Sequence, residues 1–282
     1  MPERIPIMRK LLLALSAVLG GLFSHTTGAA DRLDVFVSIP PQKYLVERVT
    51  GPDTRVRVLT ATDPEHFEPG PGQMQALLDA DLFVPLGIRA EARWLGVIQE
   101  QAPALRVVDC CRQLMTRREE GNYQDPHVWL DPILAMRMAA IILEDLIEIR
   151  PAEAEYYRSN YQRLASDLEQ LDADIQARLA CYAGRAFLVD HPAWGYLADR
   201  YGLKQLTLEV EGREIGPRTM AERIRQAREL GIRTVFVQKQ HKSTAAVRLA
   251  EAIDARVVTL DPLGENPLEN LKITASLIAE GI

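Results

Sequence analysis

Runs of β-branched and apolar residues alternate with helix-like stretches along nearly the whole 282-residue chain, and one long amphipathic stretch interrupts them once. Nothing else constrains the fold as strongly. Parallel neighbours need a crossover between them, usually a helix, so regular alternation predicts βαβ units and parallel sheets. Before the interruption the expected strands are 33–38, 54–60, 81–87 and 105–109, with helices at 41–49, up to Ala80, 90–101 and 132–149. After it the strands are 186–189, 205–210, 234–238 and 256–260, with helices at 194–201, 218–230, 244–253 and 268–280. In between, Tyr157, Tyr161, Leu164, Leu168, Leu171, Ile175 and Leu179 recur at helical spacing behind Pro151, a good first helical residue. A helix of that length spans ~45 Å at 1.5 Å per residue. The expectation is an α/β chain of two lobes with parallel-type sheets, 31–150 and 182–282, joined by one long backbone helix over 151–181.

Residues 1–30 stand outside this scheme. Arg4, Arg9 and Lys10 precede an apolar run over 11–23, and small residues follow up to Gly28-Ala29-Ala30. A basic start, a short apolar region and a small-residue cleavage site predict a secretory signal peptide over 1–30, hence a periplasmic protein. The run falls short of the ~20 residues a membrane span needs. Without the leader, 30 basic residues face 38 acidic ones, a net charge of −8. Nucleic acid asks for the opposite sign, so it is not expected as a partner. The three cysteines, Cys110, Cys111 and Cys181, have no zinc-site spacing and allow at most one bridge.

Chemistry concentrates on the histidines. Of five, His25 leaves with the leader. His66 lies in Asp63-Pro64-Glu65-His66-Phe67-Glu68-Pro69, and His127 in Asp125-Pro126-His127-Val128-Trp129-Leu130-Asp131-Pro132. His191 lies in Asp190-His191-Pro192-Ala193-Trp194-Gly195-Tyr196. A fourth loop, Asp261-Pro262-Leu263, follows the last strand. Ligands of open α/β sheets bind beyond the carboxyl ends of strands, where such loops meet. Imidazoles with a carboxylate suit zinc, whereas the sulfur set for copper and the all-oxygen set for calcium are lacking. From the residues alone, a metal site and four unrelated polar loops both remain open.

These four loops, with Tyr201-Gly202-Leu203, resemble the zinc-type metal-binding solute-binding proteins of ABC importers, the ZnuA-like family, over nearly the whole chain after the leader. The resemblance implies two α/β lobes with a metal site in the inter-lobe cleft and Zn2+ as the transported ligand. Carried over residue by residue, the ligands are a histidine of the 63–69 loop, His127, His191 and Asp261. Manganese-type members have a glutamate where His191 stands. It further implies a divalent metal ion and a membrane permease as partners, a monomer, and no enzymatic activity.

Two departures stand out. Many members have histidine directly after Asp-Pro, where this chain has Glu65; His66 is the expected ligand, with Glu65 supporting or replacing it. The histidine-rich loop of many zinc-type members is replaced over 112–124 by a polar stretch holding Arg117, Arg118, Glu119 and Glu120. His241 reads as a residue of a solvated face. Trp129 and Trp194 read as cleft walls. Asp131, Asp190 and Glu211 read either as partners orienting histidines or as caps and ion pairs, and Arg213 and Arg218 as cleft or surface charges. The competing functions are a zinc hydrolase with an open metal position, which lacks an H-E-x-x-H helix here, and a manganese-type protein or adhesin of the same family.

Overall fold

Prolines and polar caps divide the chain before packing acts on it. The computed structural model describes residues 32–117, 124–210 and 213–282. Its first half runs β1 (Leu33–Val37), α1 (Pro40–Thr50), β2 (Thr54–Val58), α2 (Pro71–Leu78), β3 (Leu82–Val84), α3 (Arg89–Gln101), β4 (Arg106–Val107), α4 (Cys110–Leu114) and α5 (Pro132–Ile149). The long helix α6 (Ala154–Leu179) follows. Beyond it come β5 (Ala186–Val189), α7 (Gly195–Arg200), β6 (Lys204–Thr207), β7 (Glu209–Val210), β8 (Arg213–Glu214), α8 (Pro217–Glu229), β9 (Thr234–Gln238), α9 (Thr244–Ile253), β10 (Arg256–Leu260) and α10 (Pro267–Gly281). Helices α1, α2, α5, α8 and α10 all start on a proline, whose missing N–H costs nothing in the first turn. Asp131 caps α5 by accepting from the amides of Ile133 and Leu134, and Asn266 caps α10 in the same way.

Two four-stranded sheets result, in the orders β2-β1-β3-β4 and β10-β9-β5-β6, and every pairing in them is parallel. The strand period of two sorts their side chains cleanly. Leu33, Val35, Val37, Leu82 and Val84 of the first sheet face the same cluster as Phe187, Val189 and Phe236 of the second. That cluster also holds Leu164, Leu168, Leu171, Ile175 and Leu179 of α6, so one core runs through both sheets along the long helix. Burying each such leucine contributes about 1.5–3 kcal/mol. The opposite faces make smaller cores. Phe36 and Phe83 join one with α2 and α3, and Leu188 and Val235 join one with α8 and α9.

The α/β class, the parallel sheets and the long helix agree with the sequence expectation. Strand 81–87 is shorter than expected: β3 ends at Val84, three residues before Gly87 in the left-handed region at φ +75°. Stretch 205–210 divides into the edge strand β6 and the two-residue β7, whose antiparallel partner β8 lies beyond it at Arg213–Glu214; both are too short for a periodic signal. The expected signal peptide, Glu211 and residues 118–123 of the polar loop lie outside the described residues. Cys110, Cys111 and Cys181 are all free thiols. Among the described residues no helix is long and apolar enough to cross a membrane.

Candidate metal centre

Loops at the carboxyl ends of β2, β5, β9 and β10 meet the turn that precedes α5, as expected for open α/β sheets. They enclose a cavity of about 20 Å³, lined by Asp63, Glu65, His127, Trp129, His191 and His241 among others. That is the room of one water-sized body. Trp129 closes part of it, its indole N–H donating to the Pro262 carbonyl at 2.8 Å.

His127 and His191 form the floor, both buried. Asp125 Oδ1 lies 2.9 Å from His127 Nδ1 and accepts the His127 backbone N–H at 3.0 Å. Glu209 Oε2 lies 3.1 Å from His191 Nδ1. A carboxylate only accepts, so each neutral ring carries its proton on Nδ1 and presents a bare lone pair on Nε2. The two Nε2 atoms face each other at 3.2 Å. Two lone pairs so placed repel unless a cation lies between them. The spacing is close to the ~3.3 Å edge of a tetrahedron built on Zn–N bonds of about 2.0–2.1 Å. Glu65 Oε1 stands 3.8 Å from His191 Nε2, and ligand atoms of Glu65, His127 and His191 all lie within 4.8 Å of one another.

Burial disfavours a charged His191, but its bond to Glu209 and the nearby Glu65 outweigh that and raise its pKa. Burial likewise raises Glu209, and the hydrogen bond to His191 reverses the shift and leaves it lowered. The site is therefore a negative pocket around two histidines, ready for a cation.

The other expected residues sit differently. The His66 side chain is 69% exposed, with Nδ1 2.8 Å from Asp63 Oδ2. It is not in the cluster; Glu65 takes that place. Asp261 is engaged elsewhere, accepting from Lys239 Nζ at 3.0 Å, Gln240 Nε2 at 2.7 Å and the Leu263 amide at 3.0 Å. Burial would raise its carboxyl, yet the bonds from Gln240 and Lys239 lower it. The solvated-face reading of His241 is corrected. His241 lines the cavity, its ring centroid is 6.0 Å from that of His191, and its Nε2 is 3.3 Å from Asp63 Oδ2. It lies in the turn between β9 and α9, and β9 pairs directly with β5, which carries His191 on its end. Burial would raise Asp63, but its bonds to His241 and His66 hold it well below the usual carboxylate range.

Of the orienting candidates, neither Asp131 nor Asp190 reaches an imidazole. Asp131 caps α5 and bonds Arg200 Nε at 2.5 Å; Asp190 accepts the amides of His191 and Gln238 at 2.8 and 3.0 Å. Asp125 and Glu209 perform that role. Asp125 was not among those candidates, although an aspartate before proline bonds the amide two residues on and so lies beside His127. Glu209 lies 18 residues beyond His191 and carried no signal.

The family model described as "Zinc-uptake complex component A periplasmic" matches residues 35–276. A putative metal-binding protein of Chlamydia muridarum (strain MoPn / Nigg) is 27% identical, the match covering 96% of this chain and 99% of that protein. A crystal structure of ZnuA superposes with a TM-score of 0.85 at 34% identity, covering 89% of this chain and 99% of that one. A zinc-bound ZnuA deletion mutant gives 0.84 at 34% identity, covering 89% and 98%.

Proposed function

Because the chain belongs to the family of periplasmic zinc-uptake components, we propose that it captures a zinc ion and delivers it to the membrane permease of an ABC importer. The observation that carries the ion's place is the pair of facing Nε2 lone pairs on His127 and His191, 3.2 Å apart. In this reading Glu65, His127 and His191 hold the ion. A fourth group comes from the rim, where His66, His241 and Asp261 lie on loops that border the cavity. The lobes 31–150 and 182–282, bridged by 151–181, each supply part of the shell: Glu65 and His127 from the first, His191 from the second. Zinc is cargo here rather than a catalyst.

The hydrolase reading needs an open metal position with a water and a free general base. Glu65 stands among the ligand atoms, which leaves it unsuited to act as that base. The test is direct. The protein without residues 1–30 binds one zinc per chain in calorimetry, and His127→Ala or His191→Ala weakens binding by well over the ~100-fold that loss of an outer partner costs. Undiminished affinity in both variants would remove this site from consideration, and steady turnover of ester or peptide substrates would revive the hydrolase.

A further inference from the structure

Beneath the two histidines, one side chain ties their loops together. Arg117 Nη1 donates to Asp125 Oδ2 at 3.1 Å, and its Nε donates to Asp199 Oδ2 of α7 at 2.9 Å. The Arg117 backbone N–H donates to the Tyr196 hydroxyl at 3.2 Å, and that hydroxyl donates to the Asp125 carbonyl at 3.0 Å. Asp125 is fully buried, and its second oxygen is the one that holds His127 Nδ1.

An independent feature fits the same arrangement. The guanidinium lies against Gly195, where an added Cβ would stand 2.2 Å from Nη1 and 2.3 Å from Cζ. Gly195 is not among the glycines with positive φ, so its backbone does not require glycine. What glycine supplies there is room for Arg117.

We propose that Arg117 is a positioning residue for zinc capture. It neutralises and fixes Asp125, so that His127 keeps its proton on Nδ1 and its Nε2 lone pair toward the ion. It also fastens the His127 loop to α7, the helix that follows His191. A buried carboxylate stripped of its counter-charge is strongly destabilised and free to find other partners. The planar fork reaches Asp125 and Asp199 from two nitrogens at once; a lysine ammonium has a single nitrogen to offer. The proposal rests on the reading of His127 as a zinc ligand.

The test uses the protein without residues 1–30. Zinc affinity comes from competition with a chelating dye, ring nitrogens from 15N NMR of the metal-free protein, and stability from calorimetry. Arg117→Gln should raise Kd by about 10- to 100-fold, the range for partners behind a metal ligand. The His127 ring should pass from one tautomer to a mixture, and Arg117→Lys should restore part of both losses. Gly195→Ala should weaken zinc in the same direction and add little to Arg117→Gln, because both act through one guanidinium. If Arg117→Gln fails to fold, Gly195→Ala carries the same readouts. Wild-type zinc affinity in these variants overturns the proposal, and so does weakened binding with the His127 tautomer unchanged. His127→Ala, measured alongside, separates the two failures. If it too binds as wild type, the ligand assignment is at fault; if it alone loses zinc, only the role of Arg117 falls.

Discussion

Two Asp-Pro turns in this molecule share their local bonding and differ in outcome. In 125–127 the aspartate accepts the backbone N–H of His127 and lies against His127 Nδ1. In 63–66 the aspartate accepts the N–H groups of Glu65 and His66 and lies against His66 Nδ1. Yet the His127 side chain is 6% exposed and the His66 side chain 69%. The difference is one residue of register. Two positions after the aspartate the chain turns inward; His127 occupies that place in one loop and Glu65 in the other. Three positions after, the 63–66 turn faces outward and His66 sits there, whereas Val128 at that place in the other turn is buried in the core. Motif membership thus says which loop serves the ion, while the position within the turn says which atom does.

Glu65→Ala should cost about 100-fold or more in zinc affinity, more than His66→Ala does. Glu65→His, which puts an imidazole at the inward position, should keep affinity within roughly tenfold of wild type, since both groups are ordinary zinc ligands. A larger loss from His66→Ala than from Glu65→Ala would show that the register argument fails and that His66 reaches the ion.

The next effect in size concerns the carboxylates that fix the buried rings. Asp125→Asn and Glu209→Gln should each weaken zinc by about 10- to 100-fold, by releasing the Nδ1 proton that aims the lone pair. Asp63→Asn should cost less, because the two rings it contacts, His66 and His241, lie outside the cluster of Glu65, His127 and His191. Equal losses would erase the distinction between the two turns.

The smallest effect is in pH. In the metal-free protein Glu209 and Glu65 raise the pKa of His191 above its ordinary 6.5. A proton must leave before the ion binds, so affinity falls as pH drops through that raised value. The folded metal-free state moves oppositely. A raised histidine pKa contributes stability that is full below 6.5 and lost as pH rises through the folded value. Acidification from pH 8 to 6 should therefore weaken zinc binding while raising this group's contribution to the metal-free melting temperature. Glu209→Gln should flatten both trends; a titration in which it changes neither would remove Glu209 as their cause.

Much of the fold was legible because it depends on periodicity. The seven apolar residues of the long helix and the strand–helix alternation survive any detail of packing. The site was legible only as loops. His127 and His191 lie directly at motif positions, and both fall in the cluster. His241 was read as solvated because its neighbours, Gln240 and Lys242, are polar, and only the pairing of β9 with β5 brings it to the cavity. Glu209 lies in a two-residue strand with no pattern to read. Asp261 carries its motif, yet Lys239 and Gln240 from the neighbouring strand end hold it. Sequence separation hides such partners, and the sheet order supplies them.

The core that runs along α6 through both sheets bears on how the molecule can give up its cargo. Hinging the halves widely apart would expose leucines and phenylalanines shared between them, at about 1.5–3 kcal/mol for each large side chain brought to water. Glu65, His66 and His241 themselves belong to short turns held by a few hydrogen bonds through Asp63. The frame is built as a vise body and these turns as its jaws: loosening a turn breaks a few hydrogen bonds, whereas hinging the halves bares the core they share.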